Sequence, residues 1–241
     1  MRTHAILLTA LLLLTAGMGP ATATTTAQPA EVASAEEPAL SQHECTYPFS
    51  ATDATGTEVT VEEPPETVTT LGPSAAQTMW EIGARDQVVG LDQYSSYLAG
   101  AETRTNVSAA GFGYSTEAVV GTEADLVLAA NIAPNSTIAQ LRNAGMTVYK
   151  FEAATSIEDV AEKTATTGAL TGNCEAAART NEWMMQNVET ALEATQDTEK
   201  PRVLAPQGSG YVVANGTFVD AVISAAGGQN VAAENYSFYP Q

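Results

Sequence analysis

Short apolar segments alternate with short helical segments along most of this 241-residue chain, and this alternation restricts the fold more than any other feature. Four apolar segments that are typical of buried strands lie at residues 68–71, 88–91, 125–129 and 146–151. Strands of this kind, when they alternate with helices, form a parallel sheet that is covered on both faces. The sequence therefore predicts an α/β fold.

Local signals mark where several helices begin and end. The segment 74–77, SAAQ, is a capping box that is expected to open a helix, and Gly83 is expected to end it. The segment 156–159, SIED, is a second capping box. These elements, with strands expected before residue 68, make residues 45–172 one N-terminal α/β lobe.

A long helix is expected next, because the chain from Cys174 to Asp197 contains neither Gly nor Pro. Its expected bounds are 173–198. It is either a surface helix that covers one lobe or a strut that joins two lobes. The alternation restarts in residues 199–241, which are too few to bury a doubly covered sheet of their own. They are therefore either a small addition to the first lobe or an incomplete second lobe.

The N-terminal residues are not expected to belong to the fold. Residues 1–23 have a basic start, an apolar run and the small-residue signal Ala-Thr-Ala, the pattern of a secretory signal peptide. Residues 24–44 are rich in Ala, Thr, Pro and Glu and have no periodicity, so we expect a flexible tether. The protein is thus expected to be secreted.

The charge is strongly unbalanced, with 28 acidic residues against nine basic residues and a net charge of -19. This balance argues against a nucleic-acid partner, because phosphate binding requires clusters of Lys and Arg. The even spread of the acidic residues favours adaptation of the surface to high salt. A surface that attracts cations is the alternative.

The two cysteines, Cys45 and Cys174, are predicted to form a disulfide, since an exported chain with an even number of cysteines is usually oxidised. Two thiolate metal ligands are the alternative. Four Asn-X-Ser/Thr sequons, which begin at residues 106, 135, 215 and 235, are compatible with glycosylation.

The residue types needed for common enzyme chemistry are scarce. His4 lies in the signal peptide and His43 lies in the tether, so the expected folded part has no histidine. This excludes Ser-His-Asp and Cys-His nucleophilic sites there, and it disfavours the common zinc sites. No phosphate-binding loop is present. We therefore expect no catalytic site, no metal and no cofactor.

Aromatic residues instead occur in loops that follow the expected strands. Tyr94 and Tyr97 follow the 88–91 strand, and the 111–114 loop contains Phe112. Ligands of open α/β sheets bind beyond the carboxyl ends of the strands, and aromatic side chains there offer flat apolar area with a polar edge. Each tyrosine taken alone is equally compatible with packing.

The order of these segments resembles the periplasmic-type substrate-binding proteins of ABC importers for cobalamin and iron-siderophores. The similar segments are VTTLGPSAAQTMWEIGARDQVVGLDQYSSYL, the 111–114 loop, TEADLVLA, LRNAGMTVYKF, SIEDVAEKTATTGALTG, the long helix and GTFVDAVISAAGGQNVAAE. The resemblance implies two parallel-sheet lobes joined by a single long helix, and the acidity suggests a haloarchaeal member. The expected fold class is α/β with an incomplete second lobe, since the family continues beyond the sequence seen at residue 241.

The resemblance also implies functional residues. Ligand contacts are implied in the first lobe at Tyr94, Phe112 and Gly113. The facing ligand contacts are implied at Tyr211, Phe238 and Tyr239. Glu117, and less closely Asp220, match the acids that dock onto arginines of the membrane permease.

The function that the resemblance implies is ligand capture at the outer face of the cell membrane. The expected partners are cobalamin or a ferric siderophore, an ABC permease and its ATPase, and the protein is expected to be a monomer. The family's usual lipid anchor is not found in the sequence. The alternative function is that of a cell-surface interaction or structural protein that keeps the fold without ligand transport.

Overall fold

The computed structural model describes residues 45–111, 113–208 and 210–241. The predicted signal peptide (1–23), the predicted tether (24–44) and Phe112 lie outside the described residues. The strands are β1 (Phe49–Thr52), β2 (Glu58–Val61), β3 (Val68–Leu71), β4 (Val88–Leu91), β5 (Thr105–Asn106), β6 (Leu126–Ala129), β7 (Val148–Lys150), β8 (Arg202–Val203), β9 (Pro206–Gln207), β10 (Tyr211–Val212) and β11 (Gln229–Asn230). The α-helices are α1 (Pro73–Glu81), α2 (Thr116–Val120), α3 (Asn135–Asn143), α4 (Ile157–Thr171), α5 (Cys174–Thr195) and α6 (Phe218–Ala225).

Five parallel strands form the central sheet, in the order β5-β4-β3-β6-β7. The strands β3 and β6 are buried along their whole length. Alternate residues of β6 enter two apolar clusters, with Leu126 and Leu128 in one and Val127 and Ala129 in the other. The sheet is therefore covered on both faces, which confirms the predicted α/β fold.

The helix α1 begins earlier than its capping box predicts. Ser74 lies inside the helix, Pro73 is its first residue, and Gly72 at the N-cap position has a φ of 110°. Proline suits the first helical position, because its missing N–H would have no partner within the helix. The capping box at Ser156 and Asp159 forms as predicted.

The hairpin of β1 and β2 is held to the central sheet by a buried ion pair. The carboxylate of Asp53 accepts a 2.6 Å hydrogen bond from the Nη2 atom of Arg142, at the end of α3. Asp53 also accepts hydrogen bonds from Thr55 and from the backbone N–H of Lys150 in β7. Burial opposes ionisation of this carboxyl, but the hydrogen bonds from Thr55, Lys150 and Arg142 outweigh it and lower the pKa of Asp53.

The disulfide joins the start of the described chain to the first residue of α5. The Cα atoms of Cys45 and Cys174 lie 5.5 Å apart and their sulfur atoms are bonded, so the predicted pairing is confirmed. The helix α5 has 22 residues, which corresponds to about 33 Å. It packs against α4, where the amide of Asn181 donates a 2.7 Å hydrogen bond to the carbonyl of Ala161.

Residues after α5 form small elements. The strands β8 and β11 pair in parallel and are connected through α6, while β9 and β10 form an antiparallel hairpin. The helix α6 is capped by Thr217 and contacts both α4 and α5. The alternation of strand and helix thus continues here, although the strands are only two residues long.

Candidate functional site

The carboxyl ends of the neighbouring strands β4, β3 and β6 meet at one edge of the central sheet. Five residues lie together or interact at this edge. They come from the loops that follow β3, β4, β5 and β6, and we call them the strand-end surface. They are Gly72, Asp92, Tyr94, Tyr114 and Ile132. This edge is where open α/β sheets bind their ligands.

The buried side chain of Asp92 connects the loop after β3 to the loop after β4. Its side chain is buried, with 1% of its surface exposed. One carboxylate oxygen accepts a 2.8 Å hydrogen bond from the backbone N–H of Gly72 and a 3.2 Å bond from the hydroxyl of Ser95. The other oxygen accepts a 2.7 Å bond from the backbone N–H of Tyr94. Asp92 therefore fixes the start of α1 relative to the loop that carries Tyr94.

Tyr94 stands at the rim of this loop, with 44% of its surface exposed. Its hydroxyl donates a 3.3 Å hydrogen bond to the carbonyl of Gly111, and the side-chain amide of Gln93 donates to the same carbonyl at 3.2 Å. These bonds hold the loop after β4 against the 111–114 loop. The ring of Tyr94 is thus exposed to solvent while its hydroxyl is restrained.

Tyr114 is half-buried at the centre of the same surface. Its hydroxyl oxygen lies 3.5 Å from the position that a Cβ atom on Gly72 would take, and Ile132 lies 3.7 Å from that position. Burial raises the pKa of the Tyr114 phenol to about 12, with further contributions from the charge of Asp92 and from Tyr94. The phenol is therefore protonated at neutral pH and can donate a hydrogen bond.

Tyr97 has a different position from Tyr94. Its hydroxyl donates a 2.6 Å hydrogen bond to the side-chain oxygen of Gln77 in α1, and its side chain is 62% exposed. The tyrosine therefore ties its loop to the outer side of α1. The indole N–H of Trp80 strengthens this connection with a 3.0 Å bond to the carbonyl of Ala99.

The aromatic residues of the last part of the chain form a second group. The segment that contains Phe238 and Tyr239 runs beside residues 212–215, with a 2.9 Å bond from the N–H of Ala214 to the carbonyl of Phe238. The hydroxyl of Tyr211 accepts a bond from the side chain of Gln241. All three aromatic side chains are more than 40% exposed. Among the residues that the structure describes, no hydrogen bond or ion pair links this group to the strand-end surface.

The two acids implied as docking residues differ in their surroundings. Glu117 is exposed in the first turn of α2, and its own helix is capped by Ser115. Asp220 is half-buried in α6, where its carboxylate accepts a 2.9 Å hydrogen bond from the side chain of Asn230. This bond gives Asp220 a local structural role, because Asn230 also binds the carbonyl of Val213.

Two further properties of the described residues concern metals and membranes. No group of three or more His, Cys, Asp or Glu side chains in 45–111, 113–208 and 210–241 is arranged to hold a metal ion. No helix within these same ranges combines the length and the apolar character that crossing a membrane requires.

A comparison with protein families decides the class of this protein. The family described as periplasmic binding protein matches residues 68–241, which is most of the chain. The chain belongs to this family. The resemblance expected from the sequence is therefore confirmed.

Individual proteins are also similar to this chain. A cobalamin-binding protein of Halobacterium salinarum is 50% identical over 202 residues, which are 82% of this chain and 55% of that protein. An uncharacterized ABC transporter substrate-binding lipoprotein of Bacillus subtilis, YvrC, is 25% identical over 197 residues, 78% of this chain and 62% of that protein. The chain therefore spans a little over half the length of the curated relatives it matches.

Two solved structures of binding proteins share the fold. The periplasmic vitamin B12 binding protein BtuF of Vibrio cholerae superposes with a TM-score of 0.63 at 22% identity, covering 74% of this chain and 70% of that one. The heme binding protein HmuT superposes with a TM-score of 0.67 at 25% identity, covering 80% of this chain and 66% of that one. The overlap extends beyond the central sheet.

In this periplasmic binding protein, four residues of the strand-end surface were not predicted from the sequence: Gly72, Asp92, Tyr114 and Ile132. A signal for Asp92 existed, because it directly follows the apolar strand 88–91 at the edge where ligands bind. Tyr114 lies in the same loop as the predicted Gly113. Ile132 carries no local signal, since only its 64% exposure in the fold distinguishes it from a core residue.

Proposed function

We propose that this protein is the ligand-capture subunit of an ABC importer and that its ligand is a corrinoid of the cobalamin type. The observation that carries the proposal is the 50% identity to a cobalamin-binding protein over 82% of this chain. The ferric-siderophore alternative has no comparable support.

The strand-end surface supports a ligand with a large, flat and partly apolar face. Tyr94 and Ile132 expose apolar area there, and the protonated phenol of Tyr114 can donate a hydrogen bond. Aromatic rings that combine apolar area with a polar edge suit such a ligand. Tyr94 is the contact that we assign first. Phe112 and Gly113 in the neighbouring loop, and Tyr211, Phe238 and Tyr239 in the last part of the chain, are the further proposed contacts.

The same proposal gives each part of the chain a role. Residues 1–23 direct export, 24–44 form a tether, and 45–172 and 199–241 are two lobes on either side of the helix 173–198. The protein acts as a monomer outside the cell membrane and delivers its ligand to a permease that is driven by an ATPase. Glu117, and more weakly Asp220, dock onto the permease. The acidic surface keeps the protein soluble at high salt.

Equilibrium titration of the purified protein tests the ligand assignment. Tryptophan and tyrosine fluorescence, together with calorimetry, would be followed during additions of cyanocobalamin, hemin and a ferric hydroxamate siderophore. We expect saturable one-to-one binding of cyanocobalamin and weaker binding of the other two. A folded protein that binds none of these would overturn the proposal and favour the cell-surface structural role.

A further inference from the structure

We propose that the buried carboxylate of Asp92 makes the strand-end surface select against ligands with negative charge. This inference rests on the proposed function and narrows its ligand class to corrinoids whose side chains are amides rather than carboxylates. The inference states which charge of ligand the surface disfavours, whereas the proposed function states only that the surface binds a corrinoid.

The charge of Asp92 has no cationic partner among the described residues. Its hydrogen bonds come from the backbone N–H groups of Gly72 and Tyr94 and from the hydroxyl of Ser95, and no Lys or Arg pairs with it there. Hydrogen bonds from neutral donors stabilise a carboxylate without cancelling its charge. Because Asp92 is 1% exposed, solvent and salt screen this charge poorly.

The position of Asp92 places its field at the surface that a ligand would touch. The backbone N–H of Tyr94 lies 2.7 Å from one carboxylate oxygen, and the exposed ring of Tyr94 follows directly. The field also reaches Tyr114, because the charge of Asp92 contributes to the raised pKa of that phenol. A ligand on these two rings would therefore approach an unneutralised negative charge.

The other charges at this edge of the sheet do not reverse the effect. Lys150 ends β7, which is three strands away from β4, or about 14 Å at the usual spacing. Its ammonium group donates to the side chain of Asn135. Arg85 and Arg104 precede β4 and β5 and therefore lie toward the opposite end of these strands, where both pair with Asp86.

The test compares two corrinoids that differ only at two side chains, which end in neutral amides in one and in carboxylates in the other. The probes are cyanocobalamin and its derivative in which two side-chain amides are hydrolysed to carboxylates. A charge about 9 Å away at an effective dielectric constant of about 40 corresponds to about 5-fold in affinity for each carboxylate. We expect the wild-type protein to bind cyanocobalamin at least about 5-fold more tightly than the dicarboxylate.

Asp92→Asn should lower this ratio of affinities by about 5-fold or more, because the substitution removes the charge and keeps the side-chain size. Asp86→Asn is the matched control, since Asp86 also loses one charge but has an 89% exposed side chain. If the substitution only disordered the loop, the affinities for both corrinoids would fall together and their ratio would not change. The ratio therefore separates electrostatic selection from a purely structural role.

A second variant changes the charge of the same surface without altering a buried side chain. Ile132→Lys adds a positive charge to the same surface at a 64% exposed position, and it should lower the ratio; Leu204→Lys, at a 57% exposed position, should leave it unchanged. Equal affinities for the two corrinoids in the wild type, or a ratio that Asp92→Asn leaves unchanged, would overturn the inference while leaving the proposed function intact. Absence of binding of either corrinoid would instead overturn the proposed function, and this inference with it.

Discussion

The backbone N–H of Gly72 donates a 2.8 Å hydrogen bond to the buried carboxylate of Asp92, so the ends of the adjacent strands β3 and β4 are joined by one side chain. The N–H at the start of a helix needs a partner outside the helix. Here that partner is 20 positions away in sequence. The bond thus links the beginning of α1 to the loop that presents Tyr94.

Gly72→Ala should disrupt this junction. A Cβ atom at residue 72 would lie 2.7 Å from the Cβ of Ala130, and the φ of 110° is unfavourable for any residue with a side chain. We expect the free energy of unfolding to fall by about 2–4 kcal/mol in chemical denaturation, from backbone strain together with the steric conflict.

Gly83→Ala is the control for Gly72→Ala. Gly83 has a φ of 74°, but a Cβ atom there would meet no atom within 4 Å. It should therefore lower the free energy of unfolding by only about 1 kcal/mol. Equal losses in the two variants would mean that the approach of Gly72 to Ala130 is unimportant.

Replacement of Tyr94 should weaken ligand binding without unfolding the protein. Tyr94→Ala removes an exposed ring from the strand-end surface, and a contact of this kind is worth about 1–3 kcal/mol of binding free energy. The measurement is the dissociation constant for cyanocobalamin, alongside the thermal midpoint. Tyr97→Ala serves as the comparison, because that ring is also exposed but its hydroxyl binds Gln77 of α1. If Tyr97→Ala weakened binding more than Tyr94→Ala, the assignment of Tyr94 would be wrong.

The central sheet could be predicted because β3, β4, β6 and β7 are each formed by a short apolar segment of the sequence. Such a segment needs burial on both faces of a sheet. The capping-box pattern at Ser74 places the start of α1 too late, although Pro73 is itself a signal for the first helical position. The distant partner of Gly72 leaves no such local signal. Sequence patterns report local preferences, whereas the bond between Gly72 and Asp92 depends on how β3 and β4 are placed side by side.

The candidate site shows the same limit. Tyr94 could be singled out because an aromatic residue just after a buried strand is expected at the ligand-binding edge. Tyr114 and Ile132 belong to loops after other strands, and only the strand order brings these loops together. The local bond between Asp220 and Asn230 also could not be read from the sequence, because side-chain pairing across a turn leaves no periodic pattern.

The ion pair between Asp53 and Arg142 should make stability depend on acid pH. Hydrogen bonds lower the pKa of Asp53 in the folded protein below its ordinary value of 3.8. A carboxyl whose pKa is lowered by folding adds stability above the unfolded-state pKa, and this stability is lost as the pH falls through the folded-state pKa. The free energy of unfolding should therefore contain a contribution that is complete above about pH 5 and declines below about pH 4.

Asp53→Asn tests this contribution. The substitution leaves the guanidinium of Arg142 without its carboxylate, and loss of one partner of a buried pair costs about 3–5 kcal/mol. Denaturation of both proteins between neutral and acid pH should show the difference shrinking as the pH falls. Asp86→Asn, at an exposed carboxyl, should change the free energy of unfolding by less than about 1 kcal/mol. A pH-independent difference for Asp53→Asn would contradict the role of its ionised form.

The disulfide should contribute strongly to stability because it closes a long loop. Cys45 and Cys174 are separated by 129 positions, for which the chain-entropy model gives about 4–5 kcal/mol. The double variant Cys45→Ser/Cys174→Ser should lower the denaturation midpoint, and addition of a reductant should lower that of the wild type to a similar value. A reductant effect on the double variant would show that some other reaction was being measured.

Charge reversal at Glu117 should impair transport while leaving ligand capture unchanged. Glu117 is exposed on α2, outside the strand-end surface, and complementary charges mainly raise the rate at which two proteins dock. Glu117→Lys should therefore slow cobalamin uptake by cells by about 10-fold at a limiting concentration of the protein, with an unaltered dissociation constant for cyanocobalamin. Glu102→Lys, an equal charge change at another exposed position, should have little effect on uptake. Equal uptake by the two variants would remove Glu117 from the docking surface, and a parallel loss of ligand affinity would place it in the binding site instead.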